Sequence, residues 1–388
     1  MVQKVAIIGT GQTRCGKRDD VSYPEMIYEA VTAALEDAGI TAEDIDAVVS
    51  GSMPPPMEGV NGMHLYWSDA MGGYMKPAMR SATCGSTGMS IAHSAFYHVA
   101  SGLFDLVLAV GAEKMYEGEP QGTMATVADP YFQRPFLAGA PGIFSMQVNE
   151  YTSRYNLPEE RVRNAAAMIS VRNHNDAFDN PYAHIKVRLT IEDVLKSRIV
   201  SYPVRFYDVC PASDGACAVV FASERKAREI SRSPVWVIGV GYCGDEHFFG
   251  DSDKIVWQSA INAAKQAYKM AGIHNPLKEI DLAELYIPFS YQELFFLECF
   301  GFCEEGKGCE FVEKGIVERN GMLPVCPSGG VLCTNPIGAT GLQRVAECFL
   351  QITGKAGAHQ VSGVRKALAH AMGGMCQLNG VMILSKEI

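Results

Sequence analysis

Apolar and polar positions follow one another along this chain in an order that occurs twice. Val5-Ala6-Ile7-Ile8-Gly9 is an apolar run of strand length that ends on glycine. A helical pattern follows through Tyr28-Glu29-Ala30-Val31-Thr32-Ala33-Ala34-Leu35-Glu36 and stops at Asp37-Ala38-Gly39. A second strand resumes at Ile45-Asp46-Ala47-Val48-Val49. The order returns with the strand Val235-Trp236-Val237-Ile238-Gly239, a helix from Ala260 to Tyr268, a stop at Met270-Ala271-Gly272-Ile273, and a strand at Ile280-Asp281-Leu282-Ala283-Glu284-Leu285. Strand, helix, glycine stop and strand, repeated in sequence, mark an internal duplication.

Further along each copy, a turn of small residues opens a helix and then a strand. In the first copy Thr83-Cys84-Gly85-Ser86-Thr87-Gly88 leads into a helix from Met89 to Ala100 and the strand Leu106-Val107-Leu108-Ala109-Val110-Gly111. In the second, Asn335-Pro336-Ile337-Gly338-Ala339-Thr340-Gly341 leads into a helix from Leu342 to Leu350 and the strand Gly380-Val381-Met382-Ile383-Leu384. Two such units packed face to face bury a central helix pair between sheets and bring the two turns to one pocket. The halves are expected at residues 1–233 and 234–388. Residues 114–202 break the pattern with a Tyr-, Asn-, Pro- and Arg-rich stretch that includes Asn180-Pro181-Tyr182-Ala183-His184. This stretch is expected to form an inserted loop domain over the pocket, because long excursions from a regular scaffold usually carry substrate contacts.

Cys84 is the residue with the most pointed chemistry. A thiol at a helix start meets unpaired N–H groups and the positive end of the helix dipole, both of which favour the thiolate. The thiolate attacks thioesters. The same local pattern fits a small buried hydrophobe equally well. The bulk properties narrow the partners. A net charge of -10 argues against a nonspecific grip on nucleic acid or anionic membrane. No apolar run is long enough to span a bilayer. The N-terminus enters a strand pattern at once, so no signal peptide is expected. The chain has 12 cysteines without a close C-x-x-C pair, which points to reduced thiols in a cytoplasm and to no metal site.

With these segments in place the chain resembles the thiolases over essentially its whole length. The segments that carry the resemblance are Thr83-Cys84-Gly85-Ser86-Thr87-Gly88, Val110-Gly111-Ala112-Glu113-Lys114-Met115, Ser213-Asp214-Gly215-Ala216, Ser328-Gly329-Gly330, Asn335 to Gly341, and Gly373-Gly374. The length and Asn180-Pro181-Tyr182-Ala183 are most similar to the archaeal and sterol-carrier-type branch. The resemblance implies an α/β thiolase fold, with duplicated βαβ halves in a five-layered α-β-α-β-α stack and an inserted loop domain. It implies an acyltransferase that cleaves a 3-oxoacyl-CoA, with coenzyme A as cosubstrate and no cofactor bound by the chain. Cys84 would be the nucleophile that carries the acyl group. His370, in Ala369-His370-Ala371-Met372-Gly373-Gly374, matches the second acid/base position, where an imidazole exchanges protons near neutrality; a buried structural histidine is the other reading. Ser328 and Gly329 match the segment that lines the pantetheine arm of CoA, and the backbone N–H groups of Cys84 and Gly374 match acyl oxyanion donors.

Two positions depart from the thiolase pattern. Asn335 stands where a histidine usually binds the enolate oxygen, and Tyr286, in Tyr286-Ile287-Pro288-Phe289, stands where an Asn or His usually begins the partner motif. Both donate hydrogen bonds and neither is a good base at neutral pH. A rebuilt oxyanion hole for a bulky or aromatic substrate is therefore expected, and the chain is similar to the thiolase subunit that cleaves benzoylsuccinyl-CoA. A ketoacyl-synthase-like condensing enzyme and a non-catalytic thiolase-like subunit are the alternative readings. The family also implies a homodimer core and, in this branch, a small zinc-ribbon/OB-fold partner subunit. The Met-rich stretch from Met53 to Met75 reads as acyl pocket or as core and interface.

Overall fold

The structure is a computed structural model that describes residues 3–53, 57, 59–60, 62–136, 139–247, 250 and 252–388. The first copy supplies strands β1 (Val5–Gln12), β2 (Ala47–Gly51), β3 (Ala78–Arg80) and β4 (Leu106–Lys114). A small hairpin, β5 (Ile199–Ser201) with β6 (Val204–Arg205), precedes β7 (Asp214–Ser223). The second copy supplies β8 (Val235–Gly244), β9 (Leu282–Glu284), β10 (Lys366–Gly373) and β11 (Leu378–Ser385).

The spatial order of the main sheet is β3-β2-β4-β7-β1-β8-β11-β10-β9. Read outward from the centre, β1-β7-β4-β2 and β8-β11-β10-β9 are the same arrangement of first, last, penultimate and second strands. The counterpart of β3 shrinks to one parallel bridge, Ala283 to Val325. The duplication is therefore written in the topology as well as in the sequence.

The layers follow from alternation along the strands. In β1, Ala6 and Ile8 pack with the outer helix Tyr23–Ala38, whereas Val5 and Ile7 join the core around the central helices Thr87–Ala100 and Ile337–Thr353. The first strands of both copies press two glycines onto two alanines of an outer helix. A Cβ at Gly9 or Gly11 would meet the carbonyl oxygens of Ala34 and Ala30, at 2.6 and 2.2 Å. A Cβ at Gly239 or Gly241 would meet those of Ala267 and Ala263, on the helix Gln258–Ala271, at 2.4 and 2.0 Å.

Outer helix, sheet, helix pair, sheet and outer helix give the five layers expected from the sequence. One feature differs from the two separate sheets that face-to-face packing implied. β1 and β8 pair antiparallel through Ala6–Trp236 and Ile7–Val235, so the two halves run on as one nine-stranded sheet that curls around the central helices. The pairing satisfies backbone groups at what would otherwise be two open edges. Among the described residues no helix is long and apolar enough to cross a membrane.

The central helices touch at their first turns. A Cβ on Gly88 would lie 2.3 Å from the Leu342 nitrogen and 2.8 Å from the Gly341 nitrogen, and one on Gly341 would lie 2.6 Å from the Met89 nitrogen. Replacing a helical glycine by alanine ordinarily stabilises by about 1 kcal/mol. Here steric overlap reverses the sign: Gly88→Ala should cost about 2 kcal/mol or more, the range for overpacked cores. Urea unfolding should show a lower midpoint, and a midpoint equal to or above that of wild type would mean that the helices do not meet there.

Candidate active site

The turn that carries Cys84 is built by short polar side chains. The Thr83 N–H donates to Thr87 Oγ1 at 2.9 Å, and Thr83 Oγ1 donates to Ser90 Oγ at 3.0 Å. Ser86 Oγ lies 2.6 Å from the Tyr242 hydroxyl. The turn closes with the Thr87 N–H on the Cys84 carbonyl at 3.0 Å, just before the first central helix. Cys84 itself is left-handed, at φ 56°. That conformation costs an L-residue on the order of 1–3 kcal/mol and concentrates at functional sites.

The Cys84 thiol packs against a small apolar cluster of Met53, Met57, Met115 and Ile337. Burial pushes its pKa up, and the Gly374 N–H, hydrogen-bonded to the sulfur, pulls it part of the way back. The expected thiolate preference at the helix start is therefore opposed by burial, so the resting group is a thiol and its ionisation needs a proton acceptor.

Cys84 and Gly374 line a cleft that is partly open to solvent and has about 130 Å³ of water-accessible volume. Tyr286 and Asn335 share its lining. A Cβ on Gly85 would lie only 3.0 Å from the Tyr286 hydroxyl, so the nucleophile turn sits directly against the phenol. The Tyr286 hydroxyl donates to Asn335 Oδ1 at 3.2 Å, and Thr340 Oγ1 donates to the same oxygen at 2.9 Å. Asn335 Nδ2 donates to Cys210 Sγ at 3.3 Å. Two hydroxyls on one side and a sulfur on the other fix the amide orientation. Burial drives the Tyr286 phenol well above its ordinary value of about 10. The Asn335 N–H is in turn held by Ser213 Oγ at 3.1 Å, and Ser213 is bonded to His184 of the Asn-Pro-Tyr-Ala-His stretch at 3.0 Å.

The structure does not bring His370 to the cleft. Its ring is fully buried against Phe296 and Phe300, two residues deeper along β10 than Met372, which does line the cleft. The Tyr286 N–H donates to Nδ1 at 3.4 Å, which leaves the proton on Nε2 to meet Asn379 Oδ1 at 3.0 Å. Burial holds the pKa down at about 3. A neutral ring with both nitrogens engaged props the Tyr286 backbone, and this differs from the expected proton shuttle.

Ser328 and Gly329 also stand away from the cleft lining. Ser328 Oγ donates to Glu284 Oε2 at 2.9 Å and accepts from Arg344 Nη1 at 2.9 Å, inside a buried ionic network. Gly329, at φ 87°, packs onto Ala177. The Met-rich stretch divides. Met53 lines the cleft, Met63, Trp67 and Met71 join the core under the outer helix, and Tyr66, Tyr74 and Met75 are exposed. Residues 54–56, 58 and 61 of that stretch lie outside the described residues.

The second central helix begins differently from the first. Glu113, buried at the end of β4, accepts through Oε2 from the N–H groups of Gly338 at 3.1 Å and Met53 at 2.8 Å. Among the described residues no group of three or more His, Cys, Asp or Glu side chains is placed to hold a metal ion.

Sequence reasoning missed Cys210; the apolar wall of Met115, Met124, Val127, Ile143 and Phe144 falls in the 114–202 stretch expected over the pocket, although none of the five was singled out as a site residue. The available signal for Cys210 was its place three residues ahead of Ser213-Asp214-Gly215-Ala216, a segment already singled out.

His370 generates a pH prediction. Its folded pKa of about 3 lies below the unfolded value near 6.5, so below pH 6.5 the unfolded chain gains a proton that the folded chain refuses. The stability advantage of wild type over His370→Gln should therefore shrink as pH falls from about 6.5 towards 4, by up to about 1.4 kcal/mol per pH unit. Urea titrations at four pH values test this, and a constant difference would contradict the neutral buried ring.

Comparison with known proteins supplies the remaining observations. Residues 5–135 match the thiolase N-terminal domain, and residues 243–386 match the thiolase C-terminal domain-like family. The chain is 34% identical over 391 residues to an acetyl-CoA acetyltransferase of Methanothermobacter thermautotrophicus, covering 99% of this chain and 100% of the relative. It is 30% identical to the benzoylsuccinyl-CoA thiolase subunit BbsB of Thauera aromatica, over 97% of this chain and 96% of that one. Among solved structures, the Ltp2-ChsH2(DUF35) aldolase superposes with a TM-score of 0.84 at 24% identity, over 99% of this chain and 98% of that chain. Human mitochondrial 3-ketoacyl-CoA thiolase superposes with a TM-score of 0.74 at 16% identity, over 99% of both chains.

Proposed function

The chain belongs to the thiolase superfamily, and from that premise we propose that it cleaves a bulky 3-oxoacyl-CoA with coenzyme A through an acyl group carried on Cys84. One observation carries the reading: a strained thiol, with the Gly374 N–H on its sulfur, shares an apolar cleft with the Tyr286–Asn335 pair.

The chemistry divides among these groups. Cys84 attacks the 3-oxo carbonyl once it has lost its proton. The Gly374 N–H, already on the sulfur, turns to the oxyanion that forms beside it, together with the Cys84 N–H. The Asn335 amide has a second hydrogen beyond the one given to Cys210, and this hydrogen meets the thioester oxygen as the enolate develops. Tyr286 and Thr340 hold that amide in orientation. His370 takes a positioning role in this reading, through the Tyr286 N–H.

The cleft lining favours a large acyl group. Met53, Met115, Met124, Met372 and Met375 surround it with Ile143 and Phe144, and methionine thioethers adapt to flat or branched apolar ligands. An aromatic substrate such as benzoylsuccinyl-CoA fits this lining, and the relative BbsB is named for that reaction. A homodimer core and a small zinc-containing partner belong to the same reading. It draws support from a relative named as a subunit and from a structural match solved with a DUF35 protein.

Brief incubation with a panel of 3-oxoacyl-CoAs, aromatic ones included, should leave an acyl adduct on Cys84 that free CoA removes, as read by peptide mass spectrometry. Cys84→Ala should abolish it. A wild-type chain that forms no adduct, alone or with its partner, points to the non-catalytic reading, and preference for acetoacetyl-CoA defeats the bulky substrate. Condensation with malonyl thioesters in place of thiolysis would favour the ketoacyl-synthase reading. Asn335→Ala should lower kcat by about 100- to 1000-fold, the usual cost of one oxyanion donor, with a much smaller change in KM. Equal losses in binding and turnover would place Asn335 in ground-state binding only.

A further inference from the structure

The burial of His370 leaves the cleft in need of a group that moves protons. We propose that Cys210 is a second catalytic thiol, which protonates the departing fragment and then takes the proton of incoming coenzyme A. The inference rests on the thiolase reading above and assigns its acid/base step.

Among the described residues, Cys84 and Cys210 are the two cysteines on the cleft lining. Cys210 is held there by the backbone. Its N–H donates to the Pro288 carbonyl at 2.9 Å, and Val209 pairs antiparallel with Phe289. Just before it, buried Asp208 accepts from Ser290 Oγ at 2.7 Å, and its carbonyl accepts from the Ser290 N–H at 2.9 Å. The segment is thus laced to the loop that carries Tyr286. The sulfur accepts from Asn335 Nδ2, so thiol, amide and phenol form one connected row on the lining. Tyr286 commits its proton to Asn335, whereas no described residue accepts the Cys210 S–H. That proton is the one available to substrate.

Burial pushes the Cys210 thiol up to about 12, so it enters the cycle protonated. Cys84 gives up its proton once, to solvent through the open side of the cleft, and its thiolate adds to the 3-oxo carbon; collapse of the adduct breaks the bond between C2 and C3. The electron pair goes to C2 as the enolate of the shorter acyl-CoA. The Cys210 S–H gives its proton to C2, which releases that acyl-CoA and leaves a Cys210 thiolate facing the Asn335 N–H. Such a thiolate is basic enough to take the proton of a coenzyme A thiol. The coenzyme A thiolate then displaces acyl from Cys84, which returns the Cys84 thiolate and the Cys210 thiol for the next turnover. No oxidant or further reactant is required.

Exchange of the C2 hydrogens of an acyl-CoA with deuterated water isolates the proton step. The wild-type chain, with its partner where one is needed, should catalyse this exchange. Cys210→Ala should slow exchange and thiolysis together by about 100-fold or more, the usual scale for a general acid. Iodoacetamide labelling of Cys84 at the wild-type rate controls for an intact nucleophile turn. Cys210→Ser keeps an acceptor for Asn335 but removes the transferable thiol proton, so it should be as defective as Cys210→Ala; rescue by serine would reduce Cys210 to a structural role and overturn the assignment. Exchange within threefold of wild type in Cys210→Ala, or no exchange by the wild-type chain, overturns it too. Cys210-dependent exchange without any Cys84 adduct would sink the thiolase reading and leave Cys210 as the acid/base.

Discussion

Everything at the centre of this molecule depends on two helix starts that touch without side chains between them. Gly88 and Gly341 bring the first turns of the central helices into backbone contact, with no room for a methyl group on Gly88. Because the contact is at the first turn, the residues just before each helix are forced into the same small volume. Cys84 comes from one side, and Asn335 from the other. A looser crossing would separate them by a side-chain layer. The site is therefore a product of helix packing before it is a product of any individual functional group.

Full burial of the second central helix has its own requirement. Arg344 and Glu347 lie on it with no access to water, so each must find partners inside. Arg344 meets Glu284 and Ser328, and Glu347 meets Gln12 and His359. Gln12 ends β1 and Glu284 ends β9, strands of different halves, so the two networks tie the helix to both halves of the sheet. Paired in this way, buried charges add little net stability, but they penalise any other packing of the helix. The buried polar groups at Ser328 thus set register beneath the cleft.

Much of this was legible in the chain. The repeated strand–helix–glycine order fixed the duplication, because apolar periodicity and glycine stops are local properties. That reading brought the Cys84 and Asn335 turns to one pocket, and the thiolase resemblance added Tyr286 and Gly374; all four line the cleft. The seam between β1 and β8 rests on two residue pairs at strand edges, and nothing in periodicity distinguishes a paired edge from an open one. His370 and Ser328 sit in segments that look right for the site. Their side chains turn into buried hydrogen-bond networks, which depend on partners remote in sequence, Asn379 apart. Cys210 was hidden for the opposite reason. It lies in an irregular connection, and only its stitching to Pro288 and Phe289 brings it into the lining.

Glu113 makes the two halves electrically unequal. The copies present equivalent helix starts, yet one already gives its Gly338 N–H to a built-in acceptor, while the other faces a thiol. A scaffold with twofold ancestry can in principle stabilise incipient negative charge at two mirror-related places. Here the acceptor at one pole already holds the Gly338 N–H, so the two helix starts are no longer equivalent places for negative charge. The duplication built a symmetric housing, and one carboxyl side chain gave it a front and a back.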